Sequence, residues 1–239
     1  MLAVEHLTKS FRGLTAVKDV TFDVKADEIV ALIGPNGAGK TTCFNLIAGA
    51  LPATSGTVKF KGQPTTVLAP EKIAALGIIR TFQIVRPMRG MTVLENAMVG
   101  ALARTADVAA AAAIARDALS RVELDQKAKS LASTLTLPDR KLLELARAIA
   151  AQPKLLLLDE VMAGLRPAES DRVASVVRDL RASGITILLI EHVMRVVMAL
   201  ADRVIVLHHG EKIAEGTPAQ VGSDPRVIES YLGRRAKLQ

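Results

Sequence analysis

The segment GPNGAGKT at 34–41 constrains this chain more than any other stretch. It follows the apolar run EIVALIG (28–34) and leads into TTCFNLIAGAL, so a glycine-rich loop joins a buried strand to a helix. The spacing G-x-x-x-x-G-K-[ST] in that strand-to-helix context is a phosphate-binding loop. Gly34, Gly37 and Gly39, with Pro35, Asn36 and Ala38 between them, let backbone N–H groups turn inward around phosphate oxygens. Lys40 is placed to reach the β and γ phosphates of ATP, and Thr41 to offer a hydroxyl to Mg2+. Thr41 and Thr42 open a helix whose N-terminal dipole favours anions.

Strand patterns on either side predict two kinds of sheet. Val20, Phe22 and Val24 alternate with Thr21, Asp23 and Lys25, and Val58 and Phe60 repeat the pattern, as in half-buried antiparallel sheet. LLLLDE (155–160) and GITILLIEH (184–192) are instead continuous apolar runs separated by a helix over 168–182, the pattern of a parallel sheet covered on both faces. RVIVLHHGEKIAEG reads as a hairpin turning at His209-Gly210. Between about 92 and 150 the texture is helical, and ADVAAAAAIARDALSRVEL puts Ile114, Ala118 and Val122 on one face.

LLLLDE carries its acids at the C-terminal end of a strand, where ligands bind in open α/β sheets. Asp159 is placed to hold Mg2+ through water, and Glu160 to polarise an attacking water. Half the residues are hydrophobic and mean hydropathy is +0.30, yet no run of about 18 uncharged apolar residues exists, so no membrane span is expected. The N-terminus has Glu5 early and no long apolar region, so no signal peptide is expected. Cys43 is the one cysteine, which excludes an internal disulfide and fits the cytosol. The net charge of +7 fits nucleic acid, an anionic membrane or simply a lysine- and arginine-rich surface. With no Trp and one Tyr, base-stacking platforms are lacking, and no nucleic-acid partner is expected.

In this order the motifs resemble those of the ATP-binding cassette (ABC) ATPases, and the resemblance covers nearly the whole chain. Phe11 matches the aromatic that stacks on adenine, although a core Phe is the plain alternative. Gln83 in RTFQ matches the glutamine linking Mg2+ to the transmembrane partner, and LTLPDRK (135–141) sits at the signature position. Asp159 and Glu160 follow, and His192 matches the switch histidine that contacts the γ-phosphate. IIRTFQIVRPMRGMTVLENAMVGA, MAGLRP, IEHVM and the terminal YLG are similar to the cytosolic ATPase of branched-chain amino acid import systems. The resemblance implies a P-loop NTPase (RecA-like) α/β core with an N-terminal antiparallel β subdomain (about 1–83 and 151–239) and an inserted helical subdomain (about 84–150). Implied partners are a second, unlike ABC ATPase subunit, transmembrane permease subunits and, indirectly, an extracytoplasmic solute-binding protein. The implied location is the cytoplasmic face of the inner or plasma membrane, peripherally bound. The chain departs from the pattern in being short between about 102 and 115, and in Val161 and Arg166, which stand where Pro and Asn or Asp are usual.

The signature departs furthest. The family's LSGGQ holds the γ-phosphate of ATP bound to the opposite subunit through its serine and glycine amides. Here Leu135 takes the Leu position, Thr136 the Ser, Leu137 and Pro138 the two Gly, and Asp139 the Gln. Pro138 has no N–H, and Leu137 before it is expected to avoid α geometry. A donor aimed at transition-state charge is worth about 2.7–4 kcal/mol, so a weakened site on the partner's nucleotide is expected. Pro138 also suits the first turn of a helix over DRKLLELARAIA, and both readings can hold together.

Overall fold

The computed structural model describes residues 1–81 and 86–232. The chain opens with β1 (Leu2–Phe11) and β2 (Leu14–Val24), and then β3 (Ile29–Ile33) runs into the phosphate loop and α1 (Lys40–Ile47). β4 (Ser55–Phe60), β5 (Gln63–Pro64), α2 (Pro70–Leu76) and β6 (Ile78–Arg80) follow. A helical stretch contains α3 (Val93–Ala101), α4 (Val108–Arg121) and α5 (Leu137–Ala150). The chain returns to strand and helix in β7 (Leu155–Asp159), α6 (Pro167–Ala182), β8 (Thr186–Ile190) and α7 (Met194–Leu200). It ends in the hairpin β9 (Arg203–His208) and β10 (Glu211–Gly216), then α8 (Pro218–Gly222) and α9 (Pro225–Leu232).

Among the described residues the strands form two sheets, one ordered β2-β1-β4-β5 and one ordered β10-β9-β3-β8-β7-β6. The first is antiparallel throughout. In the second, β9, β3, β8, β7 and β6 run parallel, and β10 closes the edge antiparallel to β9. Both sheet types match the strand patterns. Side chains of the parallel strands alternate between two cores, as period-2 geometry requires. Ile29, Ala31 and Ile33 of β3 face one core together with Leu156, Leu158, Ile187 and Leu189, on the side of the helical stretch. Val30, Leu32, Leu155, Leu157 and Leu188 face the other core, against the antiparallel sheet and Phe44 of α1. Buried on both faces, these strands have no polar side to show, which is why their sequences are unbroken apolar runs.

Local signals fix the helical stretch. Thr92 and Glu95 form a reciprocal cap on α3, with Glu95 N–H donating to Thr92 Oγ1 (3.1 Å) and Thr92 N–H to Glu95 Oε2 (2.7 Å). Asp107 caps α4 by accepting from Ala109 N–H at 2.8 Å. Ala111, Ala115, Ala118, Leu119 and Val122 are the buried residues of α4 and its C-cap; Ile114 is only partly buried. Small residues there let α4 lie close to its neighbours. Among the described residues, no helix is long and apolar enough to cross a membrane.

A close helix contact occurs at Gly100 of α3, where a Cβ would stand 1.9 Å from the carbonyl oxygen of Arg147 in α5. Gly100→Ala is expected to push the two helices apart and cost about 1–3 kcal/mol. Urea denaturation reads this as a lower midpoint; an unchanged midpoint would contradict the contact.

Candidate functional site

The phosphate loop is held by close backbone approaches that exclude side chains. A Cβ at Gly34 would meet Leu207 O at 2.1 Å, and one at Gly39, with φ of 100°, would meet Ala16 O at 2.3 Å. The tip of the β9–β10 hairpin locks onto the loop, with Gly210 N–H donating to Ala38 O (3.1 Å) and Lys18 N–H to Gly210 O (2.8 Å). Lys40 is buried, and its ammonium folds back onto the loop, donating to Gly34 O at 2.7 Å and Pro35 O at 3.0 Å. Burial pulls its pKa below the usual lysine value, and the nearby Glu160 and Asp159 carboxylates oppose that. Residues 36–42, Phe11, Ala16 and Glu160 line one open cavity of about 560 Å3. Phe11 is 41% exposed, so it is not the core residue its alternative reading required. Its ring lies 5.0 Å from Lys9 Nζ.

Parallel pairing of β7 with β8 sets the second wall, with Asp159 opposite Ile190. Glu160 follows in a left-handed turn (φ 49°) and His192 lies two residues beyond Ile190. Their side chains meet, with His192 Nδ1 3.9 Å from Glu160 Oε2, the imidazole half-exposed and the carboxylate largely covered. Asp159 is buried, and its Oδ2 accepts from Arg80 Nη2 at 2.7 Å. Arg80 also donates to Asn45 Oδ1. Asp159 Oδ1 is buried with no hydrogen-bond partner among the described residues. A buried carboxylate oxygen without a hydrogen-bond partner is a donor that suits Mg2+. Among the described residues no group of three or more His, Cys, Asp or Glu could hold a metal, in keeping with an ion that draws its other ligands from phosphate and water. Gln83 lies outside the described residues.

At 135–139 the structure corrects one expectation. Leu137 is the first residue of α5, not an extended residue ahead of it, and Pro138 sits in the first turn. There a missing N–H breaks no helical bond, and the helix tolerates the pair. Thr136 is the N-cap, accepting from Asp139 N–H (3.4 Å) and donating to Asp139 Oδ2 (2.7 Å). Asp139 is buried and points back into its own subunit, 2.5 Å from Lys127 Nζ and 3.8 Å from Arg172. Burial would raise its carboxyl, but the Lys127 and Thr136 bonds and the Arg172 charge hold it below the usual carboxylate range. Leu135 is buried; Leu137 is 44% exposed, and a Cβ at Gly164 would stand 3.6 Å from its Cδ2. Val161 is buried, and Arg166 is exposed ahead of α6, its N–H donating to Glu169 Oε2 at 2.8 Å.

Four residues at this edge went unread in the sequence as site members. Arg80 ends a short strand, and Lys141 and Glu191 are charged residues that are buried, a signal visible only once the fold is known. Tyr231 is the fourth. Burial raises its pKa and the Gly34 amide opposes the rise, which puts α9 beside the phosphate loop.

Comparisons agree with this architecture. A family model described as ABC transporter matches residues 17–163, and one described as branched-chain amino acid ATP-binding cassette transporter matches residues 211–237. The chain is 41% identical over 249 residues to the high-affinity branched-chain amino acid transport ATP-binding protein LivG of Escherichia coli (strain K12), covering 98% of each. It is 39% identical to BraF of Pseudomonas aeruginosa, described in the same words, again covering 98% of each. A solved nucleotide-free ATP-binding cassette from an ABC transporter superposes with a TM-score of 0.90 at 32% identity, over 98% of this chain and 99% of that one. An ADP-bound cassette of an ABC transporter gives the same TM-score at 33% identity and the same coverage.

Asp139 supplies a pH test. Its folded pKa is lowered, so its contribution is full above the unfolded value of about 3.9 and is lost as pH falls through the folded value. Asp139→Asn is expected to cost about 1–2 kcal/mol near neutral pH. The difference from wild type in chemical denaturation should shrink as pH drops below about 4, and a difference independent of pH would refute the ion pair.

Proposed function

Because the chain belongs to the ATP-binding cassette transporter family, we propose that it is the ATP-hydrolysing subunit of an importer for branched-chain amino acids or similar small polar amino acids and amides. The observation that carries hydrolysis is the meeting of Glu160 and His192, 3.9 Å apart, with Glu160 lining the cavity that Lys40 also lines. Lys40 and the loop amides hold the phosphates and Phe11 offers a ring for the base. Thr41, Asp159 and Gln83 would hold Mg2+, which neutralises phosphate charge when bound. Glu160 accepts a proton from the attacking water, and His192 steadies both the carboxylate and the terminal phosphate. The transported class rests on the names of the relatives and on the C-terminal match over 211–237. As an ATP-binding component of a transport system, it would sit peripherally on the cytoplasmic face, bound to permease subunits and served by an extracytoplasmic solute-binding protein.

The α5 N-terminus favours an unlike partner cassette. Pro138 withholds one amide, and the Thr136 hydroxyl is engaged with Asp139 of its own helix. The site this chain completes on a partner's nucleotide is then the weaker one, while its own phosphate loop, Asp159, Glu160 and His192 need a competent signature from elsewhere. An asymmetric heterodimer meets both conditions.

Two measurements test these readings. Glu160→Gln is expected to lower ATP hydrolysis by about 100-fold or more with ATP affinity nearly unchanged; a wild-type rate would sink the assignment. Pro138→Gly on a Glu160→Gln background, which silences this chain's own site, is expected to speed the remaining hydrolysis in a mixture with the partner cassette by about tenfold or more. An unchanged rate would leave Pro138 as a helix start alone.

A further inference from the structure

Lys141 lies one turn into α5 and is buried, 4% exposed. Its ammonium donates to the backbone carbonyl of Glu160 at 3.2 Å. That carbonyl belongs to a left-handed residue, an uncommon conformation for glutamate (φ 49°) that needs holding in place. The Glu160 N–H is tied to Ile190 O at 2.9 Å, and its carbonyl also accepts from Ala163 N–H at 3.1 Å. The turn is thus fixed by β8 on one side, and by α5 and the following loop on the other.

The charges around Lys141 point the same way. Glu144 faces it from its own helix, Asp159 and Glu160 from the end of β7, and Glu191 from the residue after β8. Lys40, Arg80 and His192 complete the set around those acids. Glu191 is 1% exposed, its Oε1 accepts from Met162 N–H at 3.0 Å, and its Oε2 has no hydrogen-bond partner among the described residues. Burial lowers the pKa of Lys141, which the neighbouring carboxylates oppose, and burial raises that of Glu191.

We propose that Lys141 is a positioning residue for hydrolysis: from the signature helix it holds the Glu160 carbonyl, and with it the left-handed turn that aims the Glu160 carboxylate at the nucleotide cavity. This rests on Glu160 acting on the attacking water. It also gives α5 two tasks. The N-terminal turn at Thr136 faces a partner's nucleotide, and Lys141, about 7.5 Å further along the axis, governs the base at this chain's own nucleotide. A shift of α5 on engaging the partner therefore reaches Glu160 directly.

The test is single-turnover hydrolysis of MgATP by the full chain mixed with its partner cassette, with Lys141→Met, Lys141→Arg and Glu160→Gln in this chain, alongside equilibrium ATP binding. Lys141→Met is expected to cut the rate by about 10- to 100-fold, as for a small misplacement of a reacting group, with ATP affinity unchanged. Lys141→Arg should restore most of the rate. A Lys141→Met rate within twofold of wild type, with Glu160→Gln inactive, overturns the role of Lys141. An active Glu160→Gln overturns the assignment of Glu160 itself, whatever Lys141 does. Should Lys141→Met fail to fold, Lys141→Gln carries the same expectations and the same twofold limit.

Discussion

Everything in the site depends on the parallel pairing of β3, β7 and β8. Their in-register ladders end together, with Asp159 opposite Ile190 and Leu32 also opposite Ile190. The residues that follow each strand therefore emerge at one edge: the phosphate loop after β3, Glu160 after β7, and Glu191 and His192 after β8. They are far apart in sequence, and no local interaction brings them together. What brings them together is apolar burial on both faces of the sheet, which fixes the register of every strand.

That edge concentrates charge in a place where charge is costly. Lys40, Arg80 and Lys141 stand among Asp159, Glu160 and Glu191, drawn from the loop, β6, α5, β7 and the turn after β8. The balance is local, since each buried acid has a cation near it, yet two carboxylate oxygens remain without hydrogen bonds among the described residues. They are Asp159 Oδ1, at the end of β7, and Glu191 Oε2, on the residue after β8. A site assembled this way is responsive, because removing or shifting one partner leaves another charge exposed to the low dielectric.

The helical stretch shares one apolar core with the sheet, and specific contacts order it. Gly100 against Arg147 O packs α3 on α5, the Asp139 cluster ties the start of α5 to Lys127 and to Arg172 of α6, and Lys141 ties α5 to Glu160. The N-terminal turn of α5 is ordered from within, by Thr136 and Asp139. It presents Leu137 toward Gly164 where the family presents glycine amides. The same helix is thus a firm structural element and a modest donor of hydrogen bonds, which is the physical basis of the proposed unequal pair of nucleotide sites.

The sequence alone determined the phosphate loop, the apolar strands, the antiparallel pattern at Val20 to Val24 and the acids of LLLLDE. Each of these is a local pattern: a spacing, a period or a strand end that one segment carries by itself. The helix start at Pro138 was legible too, but the geometry assigned to Leu137 was not, because the preference of a residue before proline yields to a well-capped first turn. Tertiary structure decided that Phe11 is half-exposed beside the loop, that Arg80 neutralises Asp159, and that Lys141 and Glu191 are buried at the catalytic edge. Those facts depend on which distant strands and helices become neighbours. A lysine in LPDRKLLEL reads as a solvated charge until the sheet beneath it turns it inward.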